Sequence, residues 1–114
     1  MCKDEPADFT QADLVDDLEA IFPGFRAEWR LDNWDMDDMP NDSLHCVWMS
    51  LFPFVFNPPP TPKQWKRLAD LMSREVAAGG NRENAVDTCA LEGMSRDLRR
   101  ILRPLLSAQA KKYV

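Results

Sequence analysis

Thirteen consecutive residues, Leu44–Phe56, are almost wholly apolar, and this run limits the folds open to the chain more than any other feature. A segment without a polar face has to be covered on all sides. Periodicity does not separate a buried helix from a buried strand, but the run is longer than the usual strand of about five or six residues. It is expected to form a buried helix capped by Ser43 and kinked or ended near Pro53.

The flanking sequence supplies partners for such a helix. Leu14, Leu18, Ile21 and Phe22 recur at helical spacing, with Asp16, Asp17 and Glu19 on the other side. Thr10 and Asp13 read as a capping box, Phe9 and Leu14 as a hydrophobic staple, and Pro23-Gly24 as the stop. Phe25–Leu31 suits a short helix, and Asp32–Asp42 reads as a loop. After Pro58-Pro59-Pro60, the triplet Thr61, Pro62 and Gln64 is a strong helix start. Trp65, Leu68, Ala69, Met72 and Val76 then form an inward stripe, Asp70 and Arg74 form an i,i+4 pair, and Gly79-Gly80 ends the helix. Asn81 can cap a further helix with small inward residues (Ala85, Val86, Cys89, Ala90), ended by Gly93. Ser95 opens a last helix with Leu98, Ile101, Leu102, Leu105 and Leu106 inward, arginines outward and a bend at Pro104. No alternating strand pattern competes. The expectation is an all-α bundle of about five helices, with short loops and a proline-rich connection in the middle. A flexible segment, residues 1–8, precedes a single domain, residues 9–114. A chain of 114 residues buries about two thirds of its extended surface on folding, enough for a core without disulfides.

Charge is distributed unevenly. The formal net charge is −5 and the sequence pI about 4.8, yet the chain up to Asn57 carries a net −10 and the remainder +5. All six Phe and three of the four Trp lie in the acidic part. Such asymmetry is a statement about partners. A net negative chain without basic runs interleaved with aromatics is a poor nucleic-acid binder. No window holds eighteen uninterrupted apolar residues, so no membrane span is expected, and Met1–Pro6 is too polar for a secretion signal. Cys2, Cys46 and Cys89 are odd in number and widely spaced, which suits free thiols in the cytoplasm.

Chemical sites are few. Asn33, Asp35 and Asp37 alternate as calcium ligands do, but Asp38 stands where such a loop needs Gly and Leu44 where it needs Glu, so no metal is expected. His45 is the one histidine and lies inside the apolar run, where a hydrogen-bonded boundary role is the plain reading. Nucleophile elbows, phosphate loops and CxxC pairs are absent, and a pair such as Asp35 and Asp38 has nothing specific to mark it as catalytic. No enzymatic activity, cofactor or small-molecule substrate is expected. The outward arginines of the last helix read as a solvated face that answers the chain's own acidic part. The aspartate segment carries more weight. Asp32, Asp35, Asp37, Asp38 and Asp42 repel one another within eleven residues unless a cation or basic partner compensates. Carboxylates around an aromatic anchor suit recognition of a basic protein.

Phe22-Pro23, the apolar run Leu44–Phe56, and Asn84-Ala85-Val86 with Leu91-Glu92 resemble a pattern in small helical bacterial proteins. These are immunity-type proteins of polymorphic toxin and contact-dependent growth inhibition systems. Ala90, where a bulky residue is expected, and the aspartate segment depart from that pattern. The resemblance implies a cytoplasmic protein that neutralises a cognate toxin, often a basic nuclease, as a heterodimer. On that reading Asp32, Asp35, Asp37 and Asp38 take the place of phosphates, and Trp34 with Trp29 anchors the contact. A helical adaptor without a toxin partner is the alternative.

Overall fold

Two of the helix starts expected from the sequence, at Thr61 and Ser95, are caps the chain uses. In the computed structural model, which describes residues 11–33, 43–55 and 60–114, Thr61 Oγ1 accepts from the Gln64 N–H at 3.1 Å and Gln64 Oε1 from the Thr61 N–H at 2.9 Å. This reciprocal cap opens the longest helix. The helices are α1 (Gln11–Ile21), α2 (Phe25–Asn33), α3 (Ser43–Val55), α4 (Pro62–Ala78), α5 (Gly80–Val86), α6 (Arg96–Leu102) and α7 (Ala108–Lys111). A π-helical turn, Asp87–Leu91, continues α5, and a 3₁₀ turn, Arg103–Leu105, follows α6. There is no strand among the described residues, and the fold is all-α.

Among the described residues seven α-helices stand where about five were expected, and the added ones have local causes. Pro104 does not bend a continuous helix; it sits in the 3₁₀ turn that ends α6. Ser107 then caps α7, accepting from Ala110 at 3.1 Å. Pro53 lies within α3, which runs on to Val55. The α4–α5 junction is tighter than expected. Gly79 (φ +73°) closes α4 and serves as the N-cap of α5, and Gly80 (φ +58°) is already in α5, so Asn81 is not the cap. Two consecutive left-handed residues explain the pair of glycines, since a Cβ there strains the backbone. The proposed Thr10 cap, the Phe9 staple and residues 1–8 lie outside the described residues.

Helices α3 and α4 organise the packing: α3 meets α1, α2, α5 and the π turn, whereas α4 meets α1, α5, α6 and α7. Leu14 and Leu18 of α1, Phe25 and Trp29 of α2, Leu44, Val47, Trp48 and Leu51 of α3, and Leu68, Met72 and Val76 of α4 are buried in one hydrophobic cluster. Each fully buried large apolar side chain contributes about 2–3 kcal/mol of transfer free energy. Trp65 packs on this cluster while half-buried. Ile101, expected inward, is 37% exposed.

Polar side chains join the helix ends. Gln64 Nε2 donates to the Ile21 carbonyl at 2.9 Å and Arg67 Nη1 to the Ala20 carbonyl at 3.1 Å, so α4 satisfies the last turn of α1. The Glu19 carboxylate accepts from the N–H groups of Arg26 and Gly24, and these bonds, Arg26's first, hold its pKa below the usual range. The C-terminal helix is tied down in the same way, by the Ser107 N–H donating to Ser73 Oγ at 2.9 Å.

Candidate functional site

Helices α2 and α3 bracket the aspartate segment in sequence, and both are rooted in the core. Asp32 falls in the last turn of α2. Trp34, Asp35, Asp37 and Asp38 lie outside the described residues. Trp29 is a correction: it is 3% exposed and packed in the core, so its indole is not offered to a partner. The physical reason is visible in the spacing, because Trp29 follows Phe25 by one helical turn and both fall on the inward face. With Leu44, Val47 and Trp48 buried at the start of α3 and α2 packed on α3, the two stems of the segment are fixed.

The acidic side chains of α1 are answered within the molecule. Asp16 pairs with Arg26, and Asp17 with Arg74 at 2.7 Å. Asp70 takes Lys66 at 2.6 Å, one turn back, while Arg74 reaches Asp17 and Glu75. Arg74 therefore links α1 to α4 rather than serving only as the expected i,i+4 partner of Asp70. Burial opposes its charge, but hydrogen bonds to Asp17 and Glu75 outweigh that cost and hold its pKa above the usual arginine range.

Arginines near the C-terminus behave differently. Arg96, Arg99, Arg100 and Arg103, with Pro104, line a shallow surface hollow of about 450 Å³. None of the four makes an ion pair among the described residues. Among the described residues the ion pairs made to the acidic part are those of Arg26 with Asp16 and of Arg74 with Asp17, and none comes from the α6 arginines.

Two charged clusters escaped the sequence reading. Glu75 of α4 is 1% exposed. It accepts from Arg82 at 2.6 and 2.9 Å and from Arg74 at 2.7 and 2.9 Å, so four donated hydrogen bonds compensate a buried carboxylate. A signal for it existed, since Glu75 stands three residues after Met72 on the inward stripe. The second cluster is acidic throughout. Asp87 opens the π turn, and Glu92 N–H donates to its carbonyl at 2.9 Å, an i to i+5 bond. Asp87 Oδ1 is buried without a hydrogen-bond partner. Desolvation first, then the hydrogen bond and charge of Glu92 and the charge of Glu83, push the Asp87 pKa up to about 6. Tyr113 donates to Glu83 at 2.6 Å, which holds the phenol protonated up to about 12.

The same turn carries Cys89. Its Sγ lies 3.1 Å from His45 Nδ1 on α3, joining residues 44 apart in sequence. His45 is thus the hydrogen-bonded boundary residue expected, and Cys89 is half-buried rather than enclosed. Cys89 also lines a cavity of about 380 Å³, with Met49, Ala90, Gly93, Met94, Ser95 and Leu98. No group of three His, Cys, Asp or Glu that could hold a metal ion exists among the described residues. No helix among them is long and apolar enough to cross a membrane.

The chain matches no protein-family model, and comparisons with curated proteins and with solved structures likewise find no match.

Proposed function

We propose that this chain is a binding protein of the immunity type, which neutralises a basic toxin by laying an acidic surface over the toxin's active site or substrate channel. One observation carries the reading: residues 34–42 hold four aspartates, a tryptophan and no basic residue, between two helices whose inner faces are fixed in the core. Rigid stems lower the ordering cost of binding, and carboxylates grouped around Trp34 speed encounter with a cationic surface. Asp32, Asp35, Asp37 and Asp38 stand in for phosphates, Trp34 fills a pocket, and Trp29 supports the segment from within the core. An interface of about 1,600 Å² in total suffices for tight binding.

The test is co-expression with the product of the adjacent open reading frame, followed by growth rescue and affinity measurement at several salt concentrations. The expected result is rescue, with affinity that falls as salt rises. Asp35→Lys combined with Asp37→Lys is expected to weaken binding at least about tenfold and to flatten the salt dependence. Absence of both binding and rescue removes the immunity reading. Rescue with unchanged salt dependence in the double variant moves the interface elsewhere.

The second reading, a helical adaptor, is favoured by the arginine face of α6. Four arginines that line one hollow and make no ion pair among the described residues, on a helix whose Ile101 is exposed, suit an acidic protein surface. Arg99→Glu with Arg103→Glu discriminates the two: the adaptor loses its partner, and toxin neutralisation is unaffected.

A further inference from the structure

We propose that Cys89 and His45 form a reactive-thiol site that reduces apolar hydroperoxides, with the Cys89 sulfur taking the oxidation. Three observations converge on it. The thiol and the imidazole are within hydrogen-bond reach, at 3.1 Å, which is the arrangement that activates a sulfur nucleophile. Cys89 is half-buried, so the sulfur is sheltered yet reachable. The cavity of about 380 Å³ that adjoins Cys89 is walled by Met49, Ala90, Gly93, Met94, Ser95 and Leu98, a mostly apolar set that suits a hydrocarbon group. A π turn in this position fits the pattern, since such turns recur at functional sites.

The chemistry balances with these groups alone. His45 Nδ1 takes the thiol proton, and the thiolate attacks the terminal oxygen of the hydroperoxide. A sulfur–oxygen bond forms as the oxygen–oxygen bond breaks, and His45 returns the proton to the departing alkoxide. Sulfur is oxidised by two electrons to a sulfenic acid, and the hydroperoxide leaves as the alcohol. Acyl transfer at the same sulfur fits less well. It needs several fixed donors for an oxyanion, and among the described wall residues other than Cys89 only Ser95 carries a polar side chain. This proposal is independent of the binding role.

The full chain carrying Cys2→Ser and Cys46→Ser leaves Cys89 as the only thiol. The reduced protein is mixed with cumene hydroperoxide or with hydrogen peroxide, and the sulfenic acid is trapped with dimedone and located by peptide mass spectrometry. The same protein unfolded in urea supplies the rate of an unassisted thiol. Folded Cys89 is expected to react with cumene hydroperoxide roughly 100-fold faster than that baseline. It is also expected to react about tenfold faster with cumene hydroperoxide than with hydrogen peroxide, the worth of burying two methylene groups. His45→Gln, checked by circular dichroism, is expected to bring both rates to the baseline. Met49→Asp, at a position 62% exposed, is expected to slow cumene hydroperoxide alone. Reaction at the unfolded rate, or rates unchanged in His45→Gln, overturns the site. Equal rates for the two peroxides, unaltered by Met49→Asp, overturn the apolar substrate class.

Discussion

Glu75 and Asp87 are two carboxylates withdrawn from water that the fold treats in opposite ways. Glu75 lies deeper, at 1% exposure, yet it accepts four hydrogen bonds from the guanidiniums of Arg74 and Arg82. Asp87 is less buried, yet its Oδ1 has no partner and its charged neighbours are Glu83 and Glu92. Depth is therefore not what makes a buried charge costly. The cost follows the partners, because desolvation is offset at Glu75 by opposite charge and increased at Asp87 by like charge. One cluster fastens α4 to α5 and, through Arg74 and Asp17, to α1. The other leaves Asp87, its pKa raised, on the turn that carries Cys89.

The largest effect expected from breaking this comparison is on the Glu75 side. Arg82→Ala removes two of the four donors and leaves Glu75 with Arg74 alone, at a cost of about 3 kcal/mol in urea unfolding. Glu75→Met combined with Arg82→Met, which removes the charge together with its partner, is expected to recover most of that loss. A double variant as unstable as Arg82→Ala would mean that packing of the arginine stem, and not charge compensation, holds the junction. The exposed Asp16–Arg26 pair is the control, and Arg26→Ala is expected to change stability by no more than about 1 kcal/mol.

Features set by neighbours along the chain could be read from the sequence. The Thr61–Gln64 cap, the Ser95 cap, the stripe of Leu68, Ala69, Met72 and Val76, and the all-α class all follow from spacing that one helical turn defines. The candidate site was legible only in part. Trp29 was misread because its acidic neighbourhood outweighed the inward register it shares with Phe25. The His45–Cys89 pair depends on how α3 docks on the π turn, and no local pattern links residues 44 apart. The Asp87–Glu92 pair was hidden for a different reason. Residues five apart lie about 140° around an α-helix, and only the π turn brings them to a common hydrogen bond.

A smaller effect, and a sharper one, is expected on the Asp87 side. The folded pKa of about 6 lies above the ordinary aspartate value of 3.8, so the folded state holds its proton more tightly than the unfolded chain does. Below about pH 4 Asp87 is protonated in both states and the site carries no penalty. As pH rises through 6 the folded carboxyl must ionise against Glu83 and Glu92, and stability falls between those limits. Asp87→Asn removes the penalty and is expected to raise stability at pH 7 by about 1 kcal/mol, the shift being discounted for the solvent that reaches a half-buried site. At pH 3 and below the gain should vanish. A gain independent of pH would show that the orphaned oxygen, rather than the like charges, is the source of strain.

The smallest effect separates the two neighbours of Asp87. Glu92 both hydrogen-bonds to it and repels it, whereas Glu83 acts on it through charge alone while accepting from Tyr113. Glu83→Gln should therefore lower the Asp87 midpoint by a few tenths of a unit, read from the carboxyl carbon shift by NMR, and Glu92→Gln should lower it further. Equal shifts from the two variants would assign the coupling to charge at a distance, and the i to i+5 pairing imposed by the π turn would then have no part in setting the Asp87 proton.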